Sequence, residues 1–225
     1  LLKKYARDGG VDYRGLKQDR AELAGYLDEL AGVTEREFNS WVVPERLAYL
    51  INLHNAQVLL MVVDRYPVGS FRRVTGWWGG DPCEKPVVRL FGNTTTLNVI
   101  VHNMLRRHYA EPAVHFALCA AARGGPPLRP EPYLPERIYA QFADQGRVFL
   151  STPPWNRVDV RRRRLHLSPL FRWYREDFVR RAGSLDAYVR IYLREDLAQA
   201  MRDRTFSVRF TSYDRGLNDV SSARR

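Results

Sequence analysis

The segment 44–67 constrains the fold more than any other part of the chain. Its apolar residues fall on nearly every side of a helix: Leu47, Leu50, Ile51, Leu53, Val58, Leu59 and Val62. A helix that is apolar all round lies inside a protein, so we expect a central buried helix here. Pro44 suits the first turn of this helix. Pro67 disfavours helical geometry at Tyr66, where the helix is expected to end.

Two asparagines, Asn52 and Asn55, interrupt this apolar pattern. A buried amide without a partner costs about 1–3 kcal/mol. We therefore expect both side chains to hydrogen-bond to backbone groups of neighbouring loops, with Asn55 facing a cleft.

The remaining segments show both helical and strand patterns. Helical spacing predicts helices over residues 16–32, 98–105, 135–150, 168–181 and 185–201, with Asn98 as the N-cap of the second. Alternating or short apolar runs predict hairpins at 87–97 and 158–167, and strands at 114–120 and 206–210. Residues 76–86, which include a tryptophan pair, are predicted to form a loop. These elements predict an α+β fold: a helix-rich single domain over residues 1–225, with short antiparallel strands and a helical segment 1–43 packed on it.

Charge and cysteine content restrict the classes of function. The 225 residues carry a formal net charge of +11, and a positive charge of this size is typical of proteins that bind nucleic acid or an anionic surface. The arginines are scattered and are not interleaved with aromatic residues that could stack on bases, so nucleic acid is disfavoured. Cys83 and Cys119 have no metal-ligand spacing, so we expect two free thiols, no metal and no cofactor. No apolar run of about 20 residues predicts a transmembrane segment.

Three side chains are the candidates for chemistry: His102, His115 and Cys119. His102 follows a predicted hairpin, and His115 opens the predicted strand that leads into a glycine–proline loop. Loops of this kind often hold catalytic groups. A cysteine nucleophile needs a nearby histidine or helix N-terminus to lower its pKa. The alternative interpretation of Cys119 is a small apolar residue in a strand interior.

Longer stretches of the chain resemble a known family. They are ERLAYLINLHNAQVLLMVVDRYPVGSFRRV, TLNVIVHNMLRRHY, HFALCAAARGGPPLRPEPYLPERI, LSPLFRWYREDF and SYDRGLND, with LLKKYARDGGVDYRGLK at the start. In this order they resemble the bacterial form of the domain of unknown function 547. The resemblance implies an exported or periplasmic bacterial protein and brings no agreed activity with it.

The family pattern around the third stretch is approximately H-F-A-L-N-C-A-S-x-G-C-P-P-L-R. It aligns without a gap from His115 to Arg129, and its two cysteines fall on Ala120 and Gly125. Cys119 takes the place of the family's asparagine. The acidic residue that precedes the family's histidine corresponds to Val101, next to His102. The resemblance therefore implies that the thiols of a typical relative are absent here.

These departures favour a catalytically degenerate member that acts as a binding or interaction module with a remnant cleft. We expect His102, His115, Arg129 and Asn55 to converge on one site floored by residues 120–125. The alternative for Arg129 is a surface salt bridge that only fixes the Pro-Pro loop. The other predicted ligand-binding residues are Gly124, Gly125, Trp173, Tyr174 and Asp214. Arginine offers a planar fork of donors to carboxylates and phosphates, so an anionic small molecule is the expected ligand, with a peptide or envelope component as further options.

Two alternatives remain open. The first is a hydrolase or acyltransferase that uses Cys119 or His102 in a rearranged site. The second is a basic protein that docks on nucleic acid or on an anionic polymer of the cell envelope.

Overall fold

The computed structural model of the protein describes residues 1–76, 79–202 and 204–220. Its N-terminal region contains a short hairpin and four helices. The hairpin strands are β1 (Ala6–Arg7) and β2 (Gly10–Val11), and the helices are α1 (Leu2–Tyr5), α2 (Tyr13–Gln18), α3 (Arg20–Ala31) and α4 (Glu35–Ser40). The single helix predicted over residues 16–32 is divided at Asp19, whose carboxylate accepts hydrogen bonds from Lys4 and Tyr5. Its predicted end at Gly32 is confirmed.

The central helix is α5 (Val43–Arg65), with Pro44 in its first turn as predicted. The Glu45 side chain accepts a hydrogen bond from the backbone N–H of Val42 at 2.9 Å, which satisfies one of the donors at the start of the helix. By length and composition alone, α5 could cross a bilayer, but 83% of its most apolar window is buried inside the protein. It is the helix around which the core is built.

The next region links α5 to the first predicted hairpin. It contains two 3₁₀ turns, Phe71–Arg73 and Pro82–Glu84, so the loop predicted over residues 76–86 is in part helical. The tryptophan pair of that prediction, residues 77 and 78, lies outside the described residues. The hairpin itself is confirmed: β3 (Val88–Leu90) pairs with β4 (Asn93–Thr95) in antiparallel register. Phe91 and Gly92 form its turn, with φ values of 54° and 75°.

A π-helical segment, Val99–Arg106, follows the hairpin and continues into α6 (Arg107–Tyr109). The predicted N-cap at Asn98 is wrong. The Thr96 hydroxyl accepts the hydrogen bond from the N–H of Val99 at 3.2 Å, whereas the Asn98 amide donates to the carboxylate of Glu84. π-Helical turns widen a helix locally and are frequent at functional sites.

The strand predicted over residues 114–120 is also wrong, because Val114–Ala117 forms a short helix, α7. The Glu111 carboxylate accepts a hydrogen bond from the N–H of Ala113 and supports the turn that begins α7. A short apolar run does not distinguish a strand from a buried helical turn.

The C-terminal part combines five helices and a three-stranded sheet. The helices are α8 (Ile138–Leu150), α9 (Leu170–Trp173), α10 (Arg175–Ala182), α11 (Leu185–Arg190) and α12 (Glu195–Ala200). The strands are β5 (Arg157–Asp159), β6 (Arg164–Leu167) and β7 (Ser207–Phe210). The hairpin of β5 and β6 has the arginine run at its tip, as predicted. The pairing of β6 with β7 is parallel, unlike the antiparallel pairing expected for the short strands.

One hydrophobic core joins these elements. It extends from Tyr5 and Leu23 in the N-terminal region, through α5, to Phe178 and Leu217. The C-terminal segment is held against the start of the chain, because the Tyr13 hydroxyl donates to the Asn218 side chain at 2.8 Å. The protein is thus a helix-rich α+β fold, as the sequence predicted.

Candidate functional site

A buried histidine–aspartate pair lies at the centre of the candidate site. His115 is on α7, and its Nε2 is 2.7 Å from Oδ2 of Asp177 on α10. The same carboxylate accepts two hydrogen bonds from Arg106, from Nε at 2.6 Å and from Nη2 at 3.0 Å. Three elements that are distant in sequence therefore meet at Asp177.

The environment fixes the charge of each member of this pair. Burial alone would raise the pKa of Asp177, but the hydrogen bonds from His115 and Arg106 hold that pKa well below its usual range. Burial lowers the pKa of His115, and Asp177 offsets this only in part. An ionised carboxylate accepts hydrogen bonds and cannot donate them, so we infer that Nε2 of a neutral His115 carries the proton. The other nitrogen, Nδ1, is buried and has no hydrogen-bond partner among the residues that the structure describes.

His102 and Tyr174 complete the cluster around His115. The ring of Tyr174 stacks on the imidazole of His115, with 3.8 Å between centroids and 15° between planes. Nη1 of Arg106 lies 2.9 Å from Nδ1 of His102, one turn earlier on the π-helical segment. Burial, followed by the charge of Arg106, lowers the pKa of His102. The structure thus places the two histidines and Tyr174 in one connected group.

A cleft of about 180 Å³ opens beside this group. Its walls contain Arg106, His115 and Asp177, together with Glu111, Arg180 and Arg181. Arg180 and Arg181 are exposed, and no salt bridge within the described residues involves either guanidinium. The Glu111 carboxylate already accepts a hydrogen bond from the N–H of Ala113. The cleft therefore presents more free positive than negative charge. We call it the arginine cleft.

The glycine loop, residues 120–125, does not floor the arginine cleft, so that prediction is wrong. The loop packs against the C-terminal segment: the N–H of Gly124 donates to the carbonyl of Asp214 at 3.0 Å. A Cβ atom on Gly124 would lie 2.7 Å from the backbone nitrogen of Asp214. A Cβ atom on Gly125 would lie 2.7 Å from Cβ of Ala120. The two positions where the resemblance places thiols are thus direct neighbours in space.

The predicted ligand-binding residues Trp173 and Asp214 belong to this closed loop region. Trp173 packs edge to face on Tyr213, with 4.9 Å between ring centroids. Asp214 forms a salt bridge with Arg123 at 3.1 Å and accepts the N–H of Gly216 at 2.7 Å. These contacts give both residues a structural role, and neither residue lines the arginine cleft.

Asn55 holds the backbone that follows α7. Its Nδ2 donates to the carbonyl of Ala117 at 2.9 Å, and its Oδ1 accepts the N–H of Cys119 at 2.7 Å. Asn52 forms the same type of pair with both backbone groups of Tyr133, at 2.8 and 2.9 Å. The predicted hydrogen bonds of both asparagines to loop backbone are confirmed. Both polar groups of Asn55 are therefore occupied by the protein itself.

Cys119 is buried beside Asn55, and its burial raises the pKa of the thiol to about 11. Cys83 is partly buried, and its pKa is raised to about 12, chiefly by burial with a further contribution from Asp81. Both cysteines are free thiols. Neither has the lowered pKa that marks an activated nucleophile.

Arg129 is not brought to the histidines, contrary to the expectation of one shared cleft. Its guanidinium pairs with Glu131 at 2.7 Å and with Asp144 at 2.5 Å. It lines a different cavity, shared with Asn55, and no residue lines both this cavity and the arginine cleft. The ion pairs fix Arg129 to its own loop and to α8, which explains why it does not reach His115.

Five charged residues of the arginine cleft were not among the sequence candidates: Arg106, Glu111, Asp177, Arg180 and Arg181. Arg106 follows His102 by four residues, a spacing that brings side chains together on a helix and could have identified it. Asp177 had no such signal, because it is separated from His115 by 62 residues.

The described part of the chain contains no group of three His, Cys, Asp or Glu side chains placed to hold a metal ion. The fold and the site together define a helix-rich α+β domain with a buried histidine–aspartate pair beside an arginine-lined cleft.

The chain belongs to the family described as protein of unknown function, DUF547, whose family model matches residues 38–150. The match includes α5, His102, Arg106 and His115, whereas Asp177, Arg180 and Arg181 lie beyond it. Neither the curated proteins nor the solved structures gave a match.

Proposed function

We propose that this protein is a binding module without thiol catalysis, and that its arginine cleft holds a small oxyanion of the phosphate type. The observation that carries this proposal is His115, a buried histidine in the wall of an arginine-lined cleft. Its Nδ1 has no hydrogen-bond partner within residues 1–76, 79–202 and 204–220. A buried polar group without a partner is a candidate for pairing with a ligand.

The charges around the cleft support an anionic ligand. Asp177 is occupied by Arg106 and His115, and Glu111 accepts a backbone hydrogen bond. Arg180 and Arg181 supply guanidinium groups at the rim. Guanidinium groups bind phosphate and carboxylate oxygens through two parallel hydrogen bonds.

The state of His115 further favours one kind of anion. A neutral imidazole that donates from Nε2 leaves Nδ1 as an acceptor. Monohydrogen phosphate carries a hydroxyl that can donate to Nδ1, while its other oxygens accept from the arginines. Sulfate has no such hydroxyl at neutral pH. The site should therefore prefer phosphate over sulfate, a preference that charge alone would not produce.

The environment of the two thiols argues against the hydrolase or acyltransferase alternative. Burial raises the pKa of both Cys83 and Cys119. The resemblance places the family's cysteines at Ala120 and Gly125, and a Cβ atom on Gly125 would lie 2.7 Å from Cβ of Ala120. A thiol hydrolase needs a thiolate beside a base, and these residues do not supply one.

The test is isothermal titration calorimetry with inorganic phosphate at pH 7. We expect saturable binding, with sulfate about tenfold weaker. Because hydrogen bonds to charged groups contribute about 1.5–3 kcal/mol, Arg180→Gln and Arg181→Gln should each weaken phosphate binding about tenfold. Arg175→Gln is the matched control, because this exposed arginine lies on the same helix and does not line the cleft.

Two results would overturn the proposal. One is phosphate binding that is absent or no stronger than that of chloride. The other is equal loss of binding in the Arg175→Gln control and in the cleft variants, which would indicate attraction to the overall positive charge.

A further inference from the structure

A second cavity, of about 470 Å³, lies between the N-terminal helices, α5 and the segment 128–133. Its walls are mainly apolar side chains, among them Leu16, Leu23, Leu59 and Leu128. We call it the leucine cavity. Binding sites for small organic molecules are typically about 300–1,000 Å³ and mostly apolar, so its size and lining fit this class.

The ionisable residues of the leucine cavity balance one another. Lys3 and Arg129 are its cations, and Glu22 and Glu131 are its anions. Arg129 pairs directly with Glu131, and also with Asp144 outside the cavity wall. Placing a further carboxylate or ammonium group beside the Arg129–Glu131 pair would leave one charge uncompensated next to the apolar wall. The balance therefore favours a ligand without net charge.

Most polar atoms of the cavity wall are already engaged. The amides of Asn52 and Asn55 are hydrogen-bonded to backbone groups of Tyr133, Ala117 and Cys119. Their engagement explains why two asparagines can lie in the wall without making it hydrophilic. The cavity thus offers few positions at which a ligand could form a directional contact.

Two polar atoms in the wall residues are buried and have no partner in the described part of the chain: Nε of Arg129 and the hydroxyl of Tyr133. Tyr133 is only 3% exposed, so its hydroxyl has little access to bulk solvent. Nε of arginine is a donor, and a tyrosine hydroxyl also donates. Both groups can therefore donate to an acceptor oxygen of a ligand in the cavity that their residues line.

We propose that the leucine cavity binds an uncharged, largely apolar small molecule that carries one acceptor oxygen, such as a medium-chain alcohol, ketone or ester. The apolar chain packs on the leucines, and the oxygen accepts from Tyr133 and Arg129. This site is separate from the arginine cleft, since no residue lines both. The inference therefore holds or fails independently of the proposed function.

The probe for this site is N-phenyl-1-naphthylamine, an uncharged apolar dye whose fluorescence rises when it leaves water. We expect saturable binding of one dye per protein. Decanol should displace the dye at a concentration at least tenfold below that needed for decanoate or decylammonium, which carry the same chain with a charged head.

Two variants locate the binding. Leu128→Trp places a larger side chain in the cavity wall and should weaken dye binding at least tenfold. Leu60→Trp is its matched control, since Leu60 is also partly buried and does not line the cavity. Circular dichroism and thermal unfolding verify that both variants fold.

Tyr133→Phe gives the sharpest test, because it removes only the unpartnered hydroxyl and should not unfold the protein. We expect decanol to bind about three- to tenfold more weakly to this variant, as for the loss of one hydrogen bond, while the affinity of the dye stays within about twofold. The proposal is overturned if the dye does not bind, if folded Leu128→Trp binds it unchanged, or if decanoate competes better than decanol.

Discussion

Nε2 of His115 and Oδ2 of Asp177 are 2.7 Å apart, although 62 residues separate them in sequence. The pair joins α7 to α10 and places a neutral histidine in the wall of the arginine cleft. Hydrogen bonds from His115 and from Arg106 keep Asp177 ionised. The cluster therefore depends on long-range packing as much as on its own chemistry.

Replacing Asp177 with asparagine should destabilise the protein by about 3 kcal/mol. The variant leaves the Arg106 guanidinium without its carboxylate, and breaking a largely buried ion pair from one side usually costs about 3–5 kcal/mol. Urea unfolding followed by circular dichroism measures the change. Glu176→Gln, an exposed neighbour on α10, should stay within about 0.5 kcal/mol of the native protein. Equal unfolding midpoints for Asp177→Asn and the native protein would show that the pair contributes nothing to stability.

Asn55→Leu should lower the free energy of unfolding by about 2–4 kcal/mol. It removes the partners of the Ala117 carbonyl and the Cys119 N–H, and each unsatisfied buried group costs about 1–3 kcal/mol. Thermal unfolding should show a clear fall in the midpoint. A midpoint that is unchanged or higher would mean that Asn55 is not a structural amide.

Cys119 should react very slowly with iodoacetamide in the native protein. Its thiol is buried, and its pKa is raised to about 11, so the reactive thiolate is scarce at pH 7–9. Mass spectrometry of the alkylated peptide, with the urea-unfolded protein as the reference, measures the rate. Rapid labelling of native Cys119 below pH 7 would contradict this account and would support the alternative of a hydrolase or acyltransferase that uses Cys119.

The protein should lose stability as the pH falls from about 6.5 to 4. His54 is fully buried, and its burial lowers its pKa to about 4, so the unfolded chain binds a proton that the folded protein excludes. The stabilising contribution is complete above the unfolded pKa of about 6.5 and is lost as the pH falls to the folded value. The full effect is about 3 kcal/mol.

The measurement for His54 is the free energy of unfolding at several pH values between 4 and 7, for the native protein and for His54→Leu. The variant should show a shallower fall over this range, because it no longer takes up that proton on unfolding. Parallel curves for the two proteins would exclude His54 as a source of the acid sensitivity.

The parts of the fold that local patterns determine could be predicted from the sequence. The bounds of α5 follow from Pro44 and from Tyr66 before Pro67, and the β3–β4 hairpin follows from the residues around Gly92. The helix α7 was mistaken for a strand because its apolar run is only a few residues long. The helix α7 ends where Asn55, which is distant in sequence, forms hydrogen bonds with the carbonyl of Ala117 and the N–H of Cys119.

The candidate site was predicted only in part, for the same reason. His102 and His115 do lie in one cluster, but their carboxylate comes from Asp177, on a helix much later in the chain. Arg129 was expected at the histidines because it ends the stretch that begins at His115, yet Glu131 and Asp144 hold it at another cavity. Contacts between distant elements determine both the position of Asp177 beside His115 and the position of Arg129 at the other cavity. The spacing of residues in the sequence does not reveal such contacts.

The central claim is that His115 and the arginines of the cleft bind a phosphate-type anion, and nuclear magnetic resonance of the histidine rings tests it most directly. With ¹⁵N-labelled histidine at pH 7, adding inorganic phosphate should shift the ring signals of His115 until they saturate. The signals of the exposed His108, which does not line the cleft, should stay in place. If the His115 signals respond to phosphate no more than to sodium chloride at equal ionic strength, the claim is contradicted.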